Sequence, residues 1–225
     1  ANPPAQAAQA RASSAHSWQT KRKFYTQLAG QAQTAADLAL IGQFAQELYL
    51  PELAVVVGRV APEKGFTGFT PVGFPTLQTP PEADWTMVHA IARQESEFDD
   101  YRISHAGAQG LMQLMPGTAR EQAGKIGIAY MSANLMQDSQ YNIRLGNSYF
   151  QRMLNSYGSY PLAVAAYNAG PGNVNKWLRA NGDPRTGAIS WVEWIERIPL
   201  YETKNYVQRV IENAVVYQAM NPVRA

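Results

Sequence analysis

The stretch from Trp85 to Phe98 constrains this chain most. It reads Trp85-Thr86-Met87-Val88-His89-Ala90-Ile91-Ala92-Arg93-Gln94-Glu95-Ser96-Glu97-Phe98 and holds neither Gly nor Pro. Pro80, Pro81, Glu82 and Asp84 precede it, giving a rigid lead-in and negative charge where a helix N-terminus favours it. A helix is predicted. Its apolar residues Trp85, Val88, Ile91, Ala92 and Phe98 trace the 3.6-residue stripe that faces a core, and Glu95 occupies the gap in that stripe. A carboxylate on an inward face is costly to ionise, so it either takes a cationic or hydrogen-bonding partner or keeps its proton with a raised pKa. A carboxylic acid protonated near neutral pH is what a general acid must be. The competing reading is a structural Glu paired with an interior arginine such as Arg144 on a later helix, because structural pairs also perturb pKa values. Glu97 points to the opposite side of the helix and reads as a solvated surface charge, with Asp99 and Asp100 as helix-end and turn residues.

Composition excludes several classes. The 225 residues suffice for one good-sized domain and an accessory piece, and 46% of them are hydrophobic, so a real core can be buried. A formal charge of +2 argues against a dedicated nucleic-acid binder. The absence of cysteine removes disulfides, thiol nucleophiles and thiolate metal sites, and His16, His89 and His105 make no zinc spacing. No apolar run approaches the roughly 20 residues that span a bilayer, so no transmembrane segment is expected. The chain starts at Ala1 without an initiator Met, which reads as a processed or trimmed form, from which any export signal would already be gone.

Taken in order, residues 1–17 are rich in Ala, Gln, Ser and Pro and read as a tail or frayed helix. Helices are predicted at about 19–29 and 35–48, the second with Leu38, Ile41, Phe44 and Leu48 inward, and a third from Pro51 to about Val60. These resemble pieces of a helical-hairpin array serving as scaffold. Residues 65–81 are dense in Pro, Gly and Thr, and the boundary is placed there: 1–80 as scaffold segment and linker, 81–225 as the main domain. The linker's aromatic residues imply that it packs on a neighbour.

Beyond the Glu95 helix, Ser104-His105-Ala106-Gly107-Ala108-Gln109-Gly110 is a small-residue turn delivering Leu111-Met112-Gln113-Leu114-Met115. Its two Met residues are either core or the adaptable wall of a groove, and spacing alone leaves these even. A long helix is predicted from Asp138 to Tyr157 with Gly158 as its stop. Pro161 to Ala169 follows as a small-residue helix ended by Gly170-Pro171-Gly172. Its Tyr167 is either a core filler or a hydroxyl aimed at a buried acid. Ser190 and Glu193 read as a capping box before Trp191 and Trp194. The last helix carries Thr203, Tyr206, Val207, Val210, Ile211, Ala214 and Tyr217 on one face, with Glu202 as an N-terminal charge. An all-α fold is expected, with at most a short hairpin between Ile126 and Asn134.

Four ordered motifs now stand together: Gln94-Glu95-Ser96, Gly110-Leu111-Met112-Gln113-Leu114-Met115-Pro116, Ala166-Tyr167-Asn168-Ala169-Gly170, and Glu202-Thr203 with Tyr206-Val207. Over about 110 residues this set resembles the soluble lytic murein transglycosylases, a far stronger signal than one short match. The resemblance covers roughly residues 82–221 and implies a goose-type, lysozyme-like catalytic domain. More weakly, residues 18–80 resemble the last helices of the superhelical scaffold that precedes this domain in larger members. Carried over by position, Glu95 matches the family's single catalytic acid and Tyr167 the tyrosine whose hydroxyl approaches it. Ser104, Gln113 and Met115 match groove residues that contact the glycan, and Asn168 and Glu202 residues near the reacting saccharide. Tyr206 is a weaker transfer, and Ser96 supports the helix of the acid.

The resemblance implies cleavage of the β-1,4 bond between N-acetylmuramic acid and N-acetylglucosamine of peptidoglycan strands, closing a 1,6-anhydro ring without consuming water. It implies no cofactor and no metal and a periplasmic or cell-envelope location; the oligomeric state is left open, with a monomer as the expectation. Two other classes stay open: a hydrolytic goose-type muramidase, and a non-enzymatic peptidoglycan-binding scaffold that keeps the fold.

Overall fold

The structure, a computed structural model, describes residues 18–222, so the tail-like segment before Trp18 lies outside it. Among the described residues the regular structure is helical, with two isolated β-bridges and no strand. The segment ahead of the Pro- and Gly-rich stretch, expected to be scaffold, comprises α1 (Trp18–Gly30), α2 (Ala35–Glu47) and α3 (Pro51–Glu63). Thr34 and Asp37 close a full capping box at α2, and Pro51 opens α3 where a missing N–H costs nothing. Helices α1 and α2 both pack on α3, whose run from Leu53 to Val57 is buried on every side. On α2, Leu38 is buried and Ile41 packs on the same cluster, but Phe44 and Leu48, also expected inward, are 48% and 44% exposed. The helix instead turns Leu38, Gly42 and Ala45 toward its neighbours, because small residues let helix backbones approach closely.

The linker is tied down at several points. It contains a short helix, α4 (Thr70–Gly73), packed on α3. The Arg93 Nε–H donates to the Gly73 carbonyl at 2.9 Å while its guanidinium lies 4.0 Å over the Phe74 ring. The Leu77 N–H donates to His89 Nε2 at 2.8 Å, and the Tyr217 hydroxyl donates to the Pro75 carbonyl at 2.9 Å.

Eight further helices follow: α5 (Trp85–Glu95), α6 (Pro116–Lys125), α7 (Asn134–Gln137), α8 (Ser139–Tyr157), α9 (Tyr160–Ala169), α10 (Pro171–Asn181), α11 (Trp191–Glu196) and α12 (Tyr201–Met220). Helix α9 packs between α8 and α12, and α12 packs along α5. All of α9 from Leu162 to Tyr167 is buried, and its alanines are what allow both neighbours to close on it. As expected, Gly158 ends α8 in the left-handed region at φ 62° and Ser190 caps α11 by accepting from the Glu193 N–H; Asp138, read only as the start of its helix, caps α8 by accepting from the Tyr141 N–H.

The all-α expectation holds: where the sequence allows at most a short hairpin, between Ile126 and Asn134, none forms, and the Tyr141 hydroxyl takes up that segment's polar groups, accepting from the Met131 N–H and donating to the Ala129 carbonyl. The β-bridges lie earlier, pairing Ile103 with Gln109 and Gln109 with Leu114. One expectation is corrected: Glu97 is not a surface charge. Glu97 and Phe98 take left-handed conformations at φ 54° and 67°, which swing the Glu97 side chain back under the scaffold. It is 4% exposed and paired with both Arg22 of α1 and Arg59 of α3. Periodicity missed this because the helix stops at Glu95. Glu97→Gln is expected to destabilise the protein by about 1–3 kcal/mol, less than a fully buried pair because both arginines are part-exposed. The midpoint and slope of urea unfolding measure it.

Candidate active site

Glu95 is the last residue of α5, and the chain there is bolted to the turn that follows. The Ser96 hydroxyl donates to the Leu111 carbonyl at 2.8 Å and its oxygen accepts from the Phe98 N–H at 3.1 Å, joining the helix end to the Leu111–Met115 segment. That segment is held from its other side by buried Asn142 of α8. Asn142 accepts from the Met112 N–H at 2.9 Å and donates to the Gln109 and Leu135 carbonyls at 3.1 and 2.8 Å. Gly110 permits this closeness. Its φ is +76°, and a Cβ there would lie 2.0 Å from the Leu135 carbonyl oxygen and 2.3 Å from Asn142 Nδ2.

The Glu95 side chain is half-buried by area, and the protein packed around it strips enough water to push its pKa up to about 7. Loss of hydration is the largest cause; the Tyr206 hydrogen bond and the Arg102 cation pull the other way, and the Glu202 charge adds to the rise. Its place at the carbonyl end of a helix, where the macrodipole is negative, acts in the same upward sense. The Tyr206 hydroxyl of α12 donates to Glu95 Oε1 at 2.8 Å. With Oε1 engaged, the carboxylic proton is best carried on Oε2. Arg144 is not its partner: it lies 3.5 Å from Glu82, with both side chains about half exposed.

The tyrosine pair is arranged differently from expectation. Tyr167, expected to reach the acid, donates its hydroxyl to the Met112 carbonyl at 2.9 Å, while Tyr206, expected to be the weaker candidate, makes the bond to Glu95. Both rings are buried beside the acid, and burial first, then the charge of Glu95, raises both phenol pKa values well above the ordinary value. Tyr167 therefore shapes the Met112–Gln113 turn, and Tyr206 orients the carboxyl.

The remaining predicted residues are distributed around this centre. Met112 is core and Met115 is 43% exposed, so core packing accounts for the first and not for the second. Gln113 sits at φ 47° and donates through Nε2 to the Arg102 and Gly110 carbonyls at 3.0 and 2.8 Å. Ser104 is half-buried and its hydroxyl accepts from the Ala108 N–H at 3.0 Å. Asn168 accepts from the Thr203 hydroxyl at 2.7 Å, and these two line, with Asn173, Tyr201 and Glu202, a hollow of about 400 Å³ at the junction of α9, α10 and α12. Sequence reasoning passed over Arg102, whose guanidinium donates to the Glu95 carbonyl, and Trp18, whose ring covers that guanidinium at 3.9 Å. Arg102 lies seven residues beyond Glu95 and past the end of the helix, so the helical period carried no signal for it.

Residues 76–189 match the family described as the transglycosylase SLT domain. The soluble lytic murein transglycosylase of Escherichia coli strain K12 is 40% identical over 131 residues, which are 57% of this chain and 20% of that protein. Among solved structures, the 70 kDa soluble lytic transglycosylase of Escherichia coli superposes with a TM-score of 0.74 at 29% identity, over 90% of this chain and 33% of that one. An inactive mutant of lytic transglycosylase Slt from Pseudomonas aeruginosa gives 0.68 at 32% identity, over 82% and 30%. The chain thus spans about a fifth of the curated relative and about a third of the solved chains. A match over 90% of this chain takes in scaffold helices as well as the segment after the linker.

Proposed function

We propose, because this chain belongs to the transglycosylase SLT domain family, that it cleaves peptidoglycan glycan strands by a lytic transglycosylase reaction in which Glu95 acts first as acid and then as base. In this reading residues 81–225 form the catalytic domain and residues 1–80 its scaffold and linker, working in the periplasm or cell envelope where the substrate lies. The supporting observation is the Glu95 carboxyl, held at a pKa of about 7 with Oε1 bonded by Tyr206. Protonated Glu95 gives its proton to the glycosidic oxygen between N-acetylmuramic acid and N-acetylglucosamine, and the bond from that oxygen to C1 of the muramic acid breaks. The muramic N-acetyl oxygen shields the cationic C1. Carboxylate Glu95 then removes the proton of the same sugar's C6 hydroxyl as O6 bonds to C1, which closes the 1,6-anhydro ring and restores the acid. No water is consumed, and a pKa near neutrality suits a group that must give and retake one proton.

Two-carboxylate glycosidases divide acid and base between separate side chains. Here Glu202 is exposed at the start of α12, and its negative charge favours the protonated form of Glu95. Asn168, Glu202, Gln113, Met115 and Ser104 are assigned to holding the glycan on either side of the scissile bond, with Tyr167 supporting the turn that carries Gln113. The test is mass spectrometry of the fragments released from purified sacculi. Anhydro ends support the reading. Reducing ends would instead make the protein a hydrolytic muramidase, and the absence of fragments would make it a binding scaffold. The expected rate falls as pH rises through about 7, because the first step needs protonated Glu95.

A further inference from the structure

The helix α1 of the scaffold is pressed onto the short segment between Glu95 and Ser104. Lys21 lies 3.3 Å from buried Asp99, Arg22 pairs with buried Glu97, and Gln19 lies 3.4 Å from His105. At the centre of this contact the Arg102 guanidinium is stacked 3.9 Å from the Trp18 ring on one side and donates to the Glu95 backbone carbonyl on the other. That carbonyl belongs to the last turn of α5, where backbone acceptors have no partner in the helix and the dipole is negative. A planar cation lying over an indole while one of its N–H groups donates to such a carbonyl is well suited to guanidinium and poorly to ammonium.

We propose that Arg102, held in place by Trp18, is a positioning residue for the acid: it caps the carbonyl end of the Glu95 helix and places a cation beside the carboxyl, so the scaffold helps to set where Glu95 ionises. This rests on Glu95 being the acid. The groups facing Glu95 are Tyr206 and Glu202 from α12, Tyr167 from α9, and Arg102 from the loop. Arg102 is in turn surrounded by Glu97, Asp99 and Arg22. Burial lowers the pKa of Arg102 and Glu95 raises it, the mutual influence expected of neighbouring opposite charges. The stack also gives the scaffold a share in catalysis that ion pairs at Glu97 and Asp99 alone would not.

The experiment is a pH titration of the Glu95 carboxyl carbon by NMR in the full chain, its signal assigned by its loss in Glu95→Gln. It is run beside the pH profile of kcat/KM on sacculi. Arg102→Gln is expected to weaken the Glu95 ionisation constant by about three- to tenfold, moving the midpoint to higher pH. Trp18→Ala moves it in the same direction by less, the double variant no further than Arg102→Gln alone, and Arg102→Lys, which keeps the charge but loses the planar stack, moves it in the same direction by less than Arg102→Gln. An unmoved midpoint in Arg102→Gln, or strictly additive shifts, overturns the proposal. If the midpoint moves while the kcat/KM profile does not follow, the assignment of Glu95 as acid fails and the Arg102 coupling stands. Should Arg102→Gln not fold, Trp18→Ala decides: a midpoint moved to higher pH supports the proposal and an unmoved one overturns it.

Discussion

Glu95→Gln is expected to lower turnover of purified sacculi by on the order of 10³-fold or more, with glycan affinity changed by no more than about threefold. The amide keeps the shape and the bond from Tyr206 but can neither donate an acidic proton nor take one back, so both halves of the proposed cycle stop. Turnover at a substantial fraction of the parent rate would remove Glu95 from its role. The same substitution carries a second, opposite signature in stability. The Glu95 pKa rises from 4.5 to about 7, so the folded state disfavours the charged form. Its contribution to stability is full below about pH 4.5 and is lost as pH rises through about 7. Above that window the Gln variant escapes the loss, and it should be more stable than the parent by up to about 3 kcal/mol near pH 9 and little different near pH 4. Urea unfolding of both proteins at the two pH values measures this. Equal differences at both would show that the site does not strain the carboxylate.

Tyr206→Phe is the second large effect. Loss of its hydroxyl frees Oε1, so the carboxyl no longer has a preferred rotamer or a preferred oxygen for its proton. A fall in kcat of about 10- to 100-fold with little change in KM is expected. The hydrogen bond favours the carboxylate, so removing it raises the Glu95 pKa further, and the alkaline limb of the pH profile moves to higher pH. Tyr167→Phe gives the contrast. It deletes the bond to the Met112 carbonyl and should cost about 1 kcal/mol of stability with a smaller loss of rate. Steady-state kinetics of the two variants across pH separate the roles. A larger kinetic loss for Tyr167→Phe would return that hydroxyl to the acid.

The two tyrosines also mark where sequence reasoning stops. Each stands on a helix whose apolar face is plain in the sequence, and both faces turn inward as the period demands. Which hydroxyl reaches Oε1 depends on how far α12 slides along α5 and α9 along α12, a matter of fractions of a helical turn. That offset is set by close packing of small residues such as Ala163 and Ala166, and not by either helix's own pattern. Met112 and Met115 divide for a related reason. Gln113 between them takes a left-handed conformation, so alternation along the segment does not predict which Met faces in.

What the sequence determined by itself was local or written in short order. The helices, the Ser190 cap, the Gly158 stop, the place of Glu95 in an apolar stripe and each of the four motifs whose order points to the family depend on residues within a few positions of one another. Tertiary structure alone decided the rest. Glu97 became a buried partner of Arg22 and Arg59, and Trp18 came to lie on Arg102, because two left-handed residues after Glu95 turn the chain under a scaffold many residues earlier. Charge pairing and stacking across such separations leave no periodic trace in a sequence, since their free energy exists only once the helices are docked.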